Sequence, residues 1–267
     1  MQGAESGTAP LGAPVPLLRA EGISKRFGGV AALEDVGLRL DASEHAALVG
    51  DNGAGKSTLV KVLSGALRAD EGRIWLDGRE RSFHSPVDAR HAGIETVYQT
   101  LALCDHLDVA ANVFLGREPL LVRAGPFGVL NRRRMAAEAE GMLAATGVSI
   151  QSVRDPLMYL SGGQRQGVAI ARAAGWGSRL IIMDEPTAAL GVRETARVEA
   201  IIRGLKERGI AVLMVSHNLR QVFSLVDTIW VMRHGRMVGR LATAGASPED
   251  VIRLITGADQ AGRAEFA

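Results

Sequence analysis

Short apolar runs broken by polar turns set the rhythm of the chain, and that rhythm changes twice along it. Residues 17–27 and 36–40 read as short strands, and residues 45–49 form a strand-length apolar run that enters a glycine-rich turn. Residues 56–67 switch to helical spacing, with Leu59, Val60, Val62 and Leu63 on or near one face. Residues 73–76 predict another strand, closed by the hairpin-type turn Asp77-Gly78. From about residue 101 to 159 helix formers prevail; helices are expected over 109–115 and 132–146, the second capped by Asn131. After Gly163 the alternation returns, with strands at 180–183, 210–215 and 228–232 and helices at 193–208 and 218–224. Alternating strand–helix units predict a sheet that is at least partly parallel, with helices on its faces.

The chain thus divides into a flexible tail at 1–16, rich in Gly, Ala and Pro, and an α/β domain at 17–240. A mostly helical subdomain is inserted at about 100–160, and a C-terminal helix and tail fill 241–267. Composition then acts mainly by exclusion. With 267 residues, 47% of them apolar and 22% charged, the chain can bury a core and is not disordered throughout. A net charge of +2 gives no reason to expect a nucleic-acid partner. The single cysteine, Cys104, rules out an internal disulfide framework and a thiolate zinc cluster. No apolar run approaches the roughly 20 residues of a spanning helix, and residues 1–16 lack the pattern of a secretory signal. The chain is expected to stay in the cytoplasm and to reach a membrane only through a partner.

Candidate chemistry begins at Gly50-Asp51-Asn52-Gly53-Ala54-Gly55-Lys56-Ser57-Thr58, which satisfies G-x-x-x-x-G-K-[ST] at every specified position. Glycines let successive backbone N–H groups point inward, and the helix starting near Gly55 aims its positive end at the same place. Lys56 can reach the β- and γ-phosphates, and the Ser57 hydroxyl can ligate Mg²⁺. An apolar strand precedes the string and a helical pattern follows, which opposes a plain glycine turn with a surface lysine. The chain is expected to bind a nucleoside triphosphate on a P-loop nucleotide-binding core.

Leu160-Ser161-Gly162-Gly163-Gln164 forms a second anion-binding helix start: Ser161 is a natural cap, and an apolar-periodic helix follows through Val168, Ala169 and Ile170. Taken alone it would be a structural cap. Beside the phosphate loop it resembles the signature motif of the ATP-binding cassette ATPases, which lies between phosphate loop and acidic strand, as here. The resemblance runs from about residue 17 to 239. It implies that two copies pair head to tail, so that Ser161, Gly162, Gly163 and Gln164 of one face the ATP held by Lys56 of the other.

Residues 180–183 lead into Asp184 and Glu185. Strand alternation would send consecutive side chains to opposite faces, giving the two carboxylates different jobs. Asp184 is expected to hold Mg²⁺ and Glu185 to polarise the attacking water as general base. The resemblance adds three residues. Gln99, after residues 94–98, would touch Mg²⁺ and the attacking water; His217 would contact the γ-phosphate; Phe27 would stack on adenine. One departure stands out: Pro186-Thr187-Ala188-Ala189-Leu190 is followed by Gly191, where the family usually has Asp.

Two kinds of work compete for such an ATPase. One is the motor of a membrane transporter, gripping a separate permease through the insertion, especially residues 100–117. The other is a soluble cassette ATPase, for example of the iron–sulfur cluster assembly type. A small-molecule kinase is opposed by the signature string. The strings 50–55, 97–99, 114–118 and 186–191 are similar to those in ATP subunits of bacterial simple-sugar importers. That resemblance implies a homodimer peripheral to the cytoplasmic face of the membrane, supplied indirectly by an extracytoplasmic solute-binding protein. Cys104-x-His106, the run Arg132-Arg133-Arg134, and His45, His84, His91 and His234 are assigned no role.

Overall fold

The computed structural model describes residues 15–124 and 127–258. All but Val15 and Pro16 of the expected tail, and residues 259–267, lie outside the described residues.

The chain begins with two long strands, β1 (Leu18–Phe27) and β2 (Val30–Leu40), followed by β3 (His45–Val49) and α1 (Lys56–Leu63). A hairpin of β4 (Glu71–Leu76) and β5 (Arg79–Arg81) precedes α2 (Pro86–His91) and β6 (Ile94–Val97). The insertion holds α3 (Val109–Phe114), β7 (Leu120–Ala124), β8 (Phe127–Leu130) and α4 (Arg132–Ala145). Then come α5 (Gly162–Gly175), β9 (Leu180–Asp184), α6 (Val192–Glu207), β10 (Ala211–Val215), α7 (Leu219–Leu225), β11 (Thr228–Arg233), β12 (Arg236–Ala242) and α8 (Pro248–Thr256).

A six-stranded sheet in the order β12-β11-β3-β10-β9-β6 is parallel from β11 to β6, with β12 as an antiparallel edge. Its central strands are apolar on both faces because both are covered. Alternation sends Ala46, Leu48, Leu180, Ile182, Leu213 and Val215 into a core shared with α1 and the antiparallel sheet β2-β1-β4-β5. It sends Ala47, Val49, Ile181, Met183, Val212 and Met214 into a second core against α5, α6 and α7. A third core, built on Phe114, Met135, Ala139, Leu143 and Leu157, fills the insertion. The helix α5 serves two of these cores: Ala169, Ile170, Ala173 and Ala174 face the sheet, while Val168 and Ala171 face the insertion.

Three local features differ from the expectation. The helix α1 ends at Leu63 rather than continuing to residue 67, because Gly65 turns left-handed at φ 72° and passes against the Ser85 carbonyl, where a Cβ would lie 2.4 Å away. The insertion contains the hairpin β7–β8 as well as helices. The helix α3 ends at Phe114, where Leu115 leaves the helical conformation and Gly116 turns left-handed at φ 78°, and Asn131 closes the hairpin with an N–H donated to the Pro119 carbonyl at 2.8 Å before capping α4 through its side chain. The short helix α2 and the edge strand β12 had no clear apolar period to announce them.

Candidate active site

Parallel register assembles the site at one edge of the sheet. Val215 pairs with both Leu48 and Asp184, and Val97 pairs with Met183. Gly50, Gln99, Asp184, Glu185 and His217 therefore all follow the carboxyl ends of neighbouring strands, where open parallel sheets place their ligands.

The phosphate loop is shaped by close backbone approach. Gly50 has φ 149°, and a Cβ there would meet the Met232 carbonyl at 2.2 Å. Gly55 has φ 102° and faces the Ala32 carbonyl at 2.6 Å in the same sense. Neither position accepts a side chain without displacing backbone. Gly55 also begins α1 with no side-chain cap and no acidic residue in the first turn, so the helix's first N–H groups face the loop uncovered. Lys56 lies across the loop and donates its ammonium to the Gly50 carbonyl at 2.7 Å and the Asp51 carbonyl at 2.9 Å. Burial lowers the pKa of Lys56, opposed by the charges of Glu185, Asp51 and Asp184.

The two acids occupy different backbone positions, Asp184 closing the strand and Glu185 standing in the turn beyond it. Strand β9 stops at Asp184, and Glu185 adopts a left-handed backbone at φ 51° with its N–H donated to the Val215 carbonyl at 3.0 Å. Asp184 is half-buried, and burial, reinforced by the Glu185 charge, raises its pKa. The Glu185 carboxylate instead meets Nδ1 of the exposed His217 at 2.8 Å. With Glu185 ionised, Nδ1 carries the proton of that bond. Gln99, two residues past the end of β6, and Ser57, the second residue of α1, are exposed, and Phe27 is 51% exposed at the end of β1, with the Lys25 ammonium 5.8 Å from its ring centre. Phe27 is therefore not a core residue.

Ser161, Gly162, Gly163 and Gln164 lie elsewhere. Ser161 caps α5, accepting from the Gln164 N–H, while Gln164 Oε1 accepts from the Ser161 N–H at 3.0 Å. Among the described residues no hydrogen bond or ion pair links this group to residues 50–58. Glu194, one turn into α6, completes the group: its carboxylate accepts from the N–H of Gly163 and of Gly191, each at 3.3 Å. Bonding from the Ser161 hydroxyl, then from those two amides, lowers its pKa. The glycine at 163 is needed for this approach, since a Cβ would lie 2.9 Å from that of Glu194.

Sequence reasoning passed over Glu194 and also Arg172, whose guanidinium donates to the Leu101 and Ala102 carbonyls. The spacing Gly191-x-x-Glu194 is a capping pattern and could have flagged the first. A lone arginine in the otherwise small and apolar second half of α5 could have flagged the second.

An uncapped phosphate loop, a strand ending in two separated acids, and a histidine on the second acid define a nucleoside-triphosphate hydrolase of the phosphate-loop class. Comparison with known proteins narrows that class. The ABC transporter family profile matches residues 33–188. "Fructose import ATP-binding protein FrcA" of Rhizobium meliloti is 44% identical over 257 residues, covering 94% of this chain and 98% of that protein. "Xylose/arabinose import ATP-binding protein XylG" of Sulfolobus acidocaldarius is 40% identical, covering 90% and 94%. "Ribose import ATP-binding protein RbsA 2" of Streptomyces avermitilis is 41% identical over 92% of this chain, which spans 48% of that longer protein. Among solved structures, MJ1267, an ATP-binding cassette of an ABC transporter, aligns with TM-score 0.77 at 27% identity, covering 90% of this chain and 98% of its own. The chain belongs to the ABC transporter family and is an ATP-binding ATPase of it.

Proposed function

We propose that this chain hydrolyses ATP as a head-to-tail homodimer, and that the cycle drives import of a sugar or similar small polar solute through a separate membrane-spanning permease. The observation that carries the chemistry is the convergence of Lys56, Asp184, Glu185, His217 and Gln99 at one sheet edge. The observation that favours import over a soluble role such as iron–sulfur cluster assembly is 44% identity across nearly the full length of a fructose import ATP-binding protein.

The phosphates rest on the N–H groups of residues 50–58 at the start of α1, with the Lys56 ammonium exchanging its two carbonyl acceptors for phosphate oxygens. Mg²⁺ fits the oxygen donors present: the Ser57 hydroxyl, the Gln99 amide oxygen and the Asp184 carboxylate, whose raised pKa marks a crowded acid that a cation would stabilise. When bound, that ion neutralises charge on the β- and γ-phosphates. Glu185 takes the proton of the attacking water, and His217 holds the carboxylate in place. Ser161, Gly163 and Gln164 meet the partner's γ-phosphate, and Phe27 stacks on adenine. No helix of the described residues is long and apolar enough to cross a membrane. In this reading the insertion, especially residues 100–117, binds the permease at the cytoplasmic face, and a solute-binding protein delivers the sugar outside.

A mild-detergent pull-down of tagged chain from its native host tests the reading. Co-purification of a multi-spanning membrane subunit supports it. Reproducible recovery of soluble partners alone would overturn the import assignment and leave the ATPase chemistry standing.

A further inference from the structure

Beyond Gln99 the backbone makes an unusual turn. Leu101 and Ala102 are consecutive left-handed residues, at φ 53° and 46°, and neither is glycine. Such a conformation persists only where surrounding groups hold it, and it concentrates at functional segments. Backbone bonds from the Leu101 N–H to the Tyr98 carbonyl and from the Ala102 N–H to the Thr100 carbonyl close the turn, and Arg172 ties it to α5. Its guanidinium donates Nη2 to the Leu101 carbonyl at 3.2 Å and Nη1 to the Ala102 carbonyl at 3.1 Å. Glu95 is ion-paired with Arg117 at 2.6 Å, and the hydrogen bonds of Arg172 go to the two carbonyls.

Arg172 sits near the far end of α5, and Ser161 caps its start. Ten residues lie between them, and the eleven steps of helix span about 16 Å along the axis. One end of this rod carries the signature residues; the other clasps the segment that carries Gln99. A cavity of about 310 Å³, lined by Glu95, Tyr98, Ala102, Arg117, Arg172 and Trp176, lies against the clasp and leaves the segment room to shift.

We propose that Arg172 is a positioning residue that couples the two ends of α5, so that engagement of Ser161 with a partner's nucleotide sets the position of Gln99 in the chain's own site. The inference rests on the head-to-tail pairing above. Packed helices move as units rather than deforming, so a displacement at one end of α5 arrives at the other.

Steady-state ATPase assays on the full chain, with ATP binding measured separately, test it. Arg172→Gln is expected to lower kcat about 10- to 100-fold, the scale of a misplaced catalytic group. ATP affinity should stay within about twofold, since Arg172 lies outside the phosphate loop. The proposal expects a sigmoidal dependence of rate on ATP in the wild-type chain and a hyperbolic one in Arg172→Gln, with Arg172→Lys, which keeps one donor, recovering part of both. In a Gln99→Ala background the Arg172→Gln change should add little, because the two act in series. Wild-type kcat in Arg172→Gln overturns the proposal. So do a parallel loss of ATP affinity, full additivity with Gln99→Ala, or a lysine variant no better than glutamine. Size-exclusion of Glu185→Gln with ATP separates the two readings. Failure of that protein to dimerise refutes the pairing; dimerisation beside an unaffected Arg172→Gln refutes the coupling.

Discussion

Two helix N-termini in this chain offer backbone N–H groups to an anion, and they are finished in opposite ways. The first, α1, starts at a left-handed Gly55 with no side-chain cap and no acid in its first turn, beneath a loop forced into shape by the Met232 and Ala32 carbonyls. The second, α5, is closed by its own residues: Ser161 and Gln164 bond reciprocally, and the Glu194 carboxylate already accepts from the Gly163 N–H. An uncapped terminus receives phosphate without losing a partner. A capped one must exchange a protein carboxylate for the phosphate. On the proposed head-to-tail pairing, the contrast predicts that nucleotide settles first on α1 and that α5 joins only when the gain exceeds the loss of the Glu194 contact.

The largest effect should come from Glu185, whose charge acts on Lys56 at the open terminus. Glu185→Gln is expected to cut turnover by at least ~100-fold, as for loss of a general base, while leaving ATP bound. Single-turnover hydrolysis measures it, and unimpaired turnover would remove Glu185 from the chemistry. Next comes Lys56→Ala, expected to weaken ATP binding about 10- to 100-fold through loss of a charged donor. Isothermal titration checks this; unchanged affinity would mean that the loop binds through its backbone alone.

The open terminus was legible in the sequence because its geometry is local. Glycines at fixed offsets, one lysine and a following apolar helix specify a cradle within nine consecutive residues, and strand-length runs at 45–49, 180–183 and 210–215 located the sheet edge that carries it. The closed terminus was legible only in part. Ser161 and Gln164 form a local capping box, but Glu194 comes from thirty residues further on and meets Gly163 only because α5 and α6 pack together. Arg172 was hidden for the same reason, since its acceptors lie seventy residues upstream. The hairpin β7–β8 escaped because its exposed apolar residues, Leu121 and Val122 among them, carry no buried period. Alternation predicted that Asp184 and Glu185 would point to opposite faces of one strand, whereas the strand stops at Asp184 and Glu185 takes a left-handed turn that no side-chain pattern reveals.

The closed terminus can be opened gently. Glu194→Gln keeps one oxygen, enough to accept from the Gly163 or the Gly191 amide but not from both, and removes the charge that competes with phosphate. In a Glu185→Gln background it should lower the ATP concentration needed for dimer closure by about two- to fivefold, the size of a charge–dipole interaction at an exposed helix end. Light scattering during ATP titration reads the midpoint. A higher midpoint would show that Glu194 orders the signature residues for phosphate rather than competing with it.

The smallest effect probes the residue that departs from the family pattern. Gly191 caps α6 at an ordinary φ of −70°, and a Cβ there would find Glu194 Oε2, 3.9 Å away, as its nearest neighbour. Nothing steric or conformational therefore demands glycine. Asp is a better N-cap than glycine by only a few tenths of a kcal/mol, and here it would stand beside the Glu194 carboxylate, whose repulsion works against that gain. Gly191→Asp should accordingly leave basal ATPase activity unchanged or raise it by no more than about twofold, with little change in melting temperature. The same substitution made with Glu194→Gln should show a larger gain, because the repulsion is gone. A collapse of activity in the single variant, with the fold intact by circular dichroism, would mean that the α6 cap needs a bare backbone. The closed terminus would then be a fixed structural joint, and the contrast with α1 would no longer describe a ligand exchange.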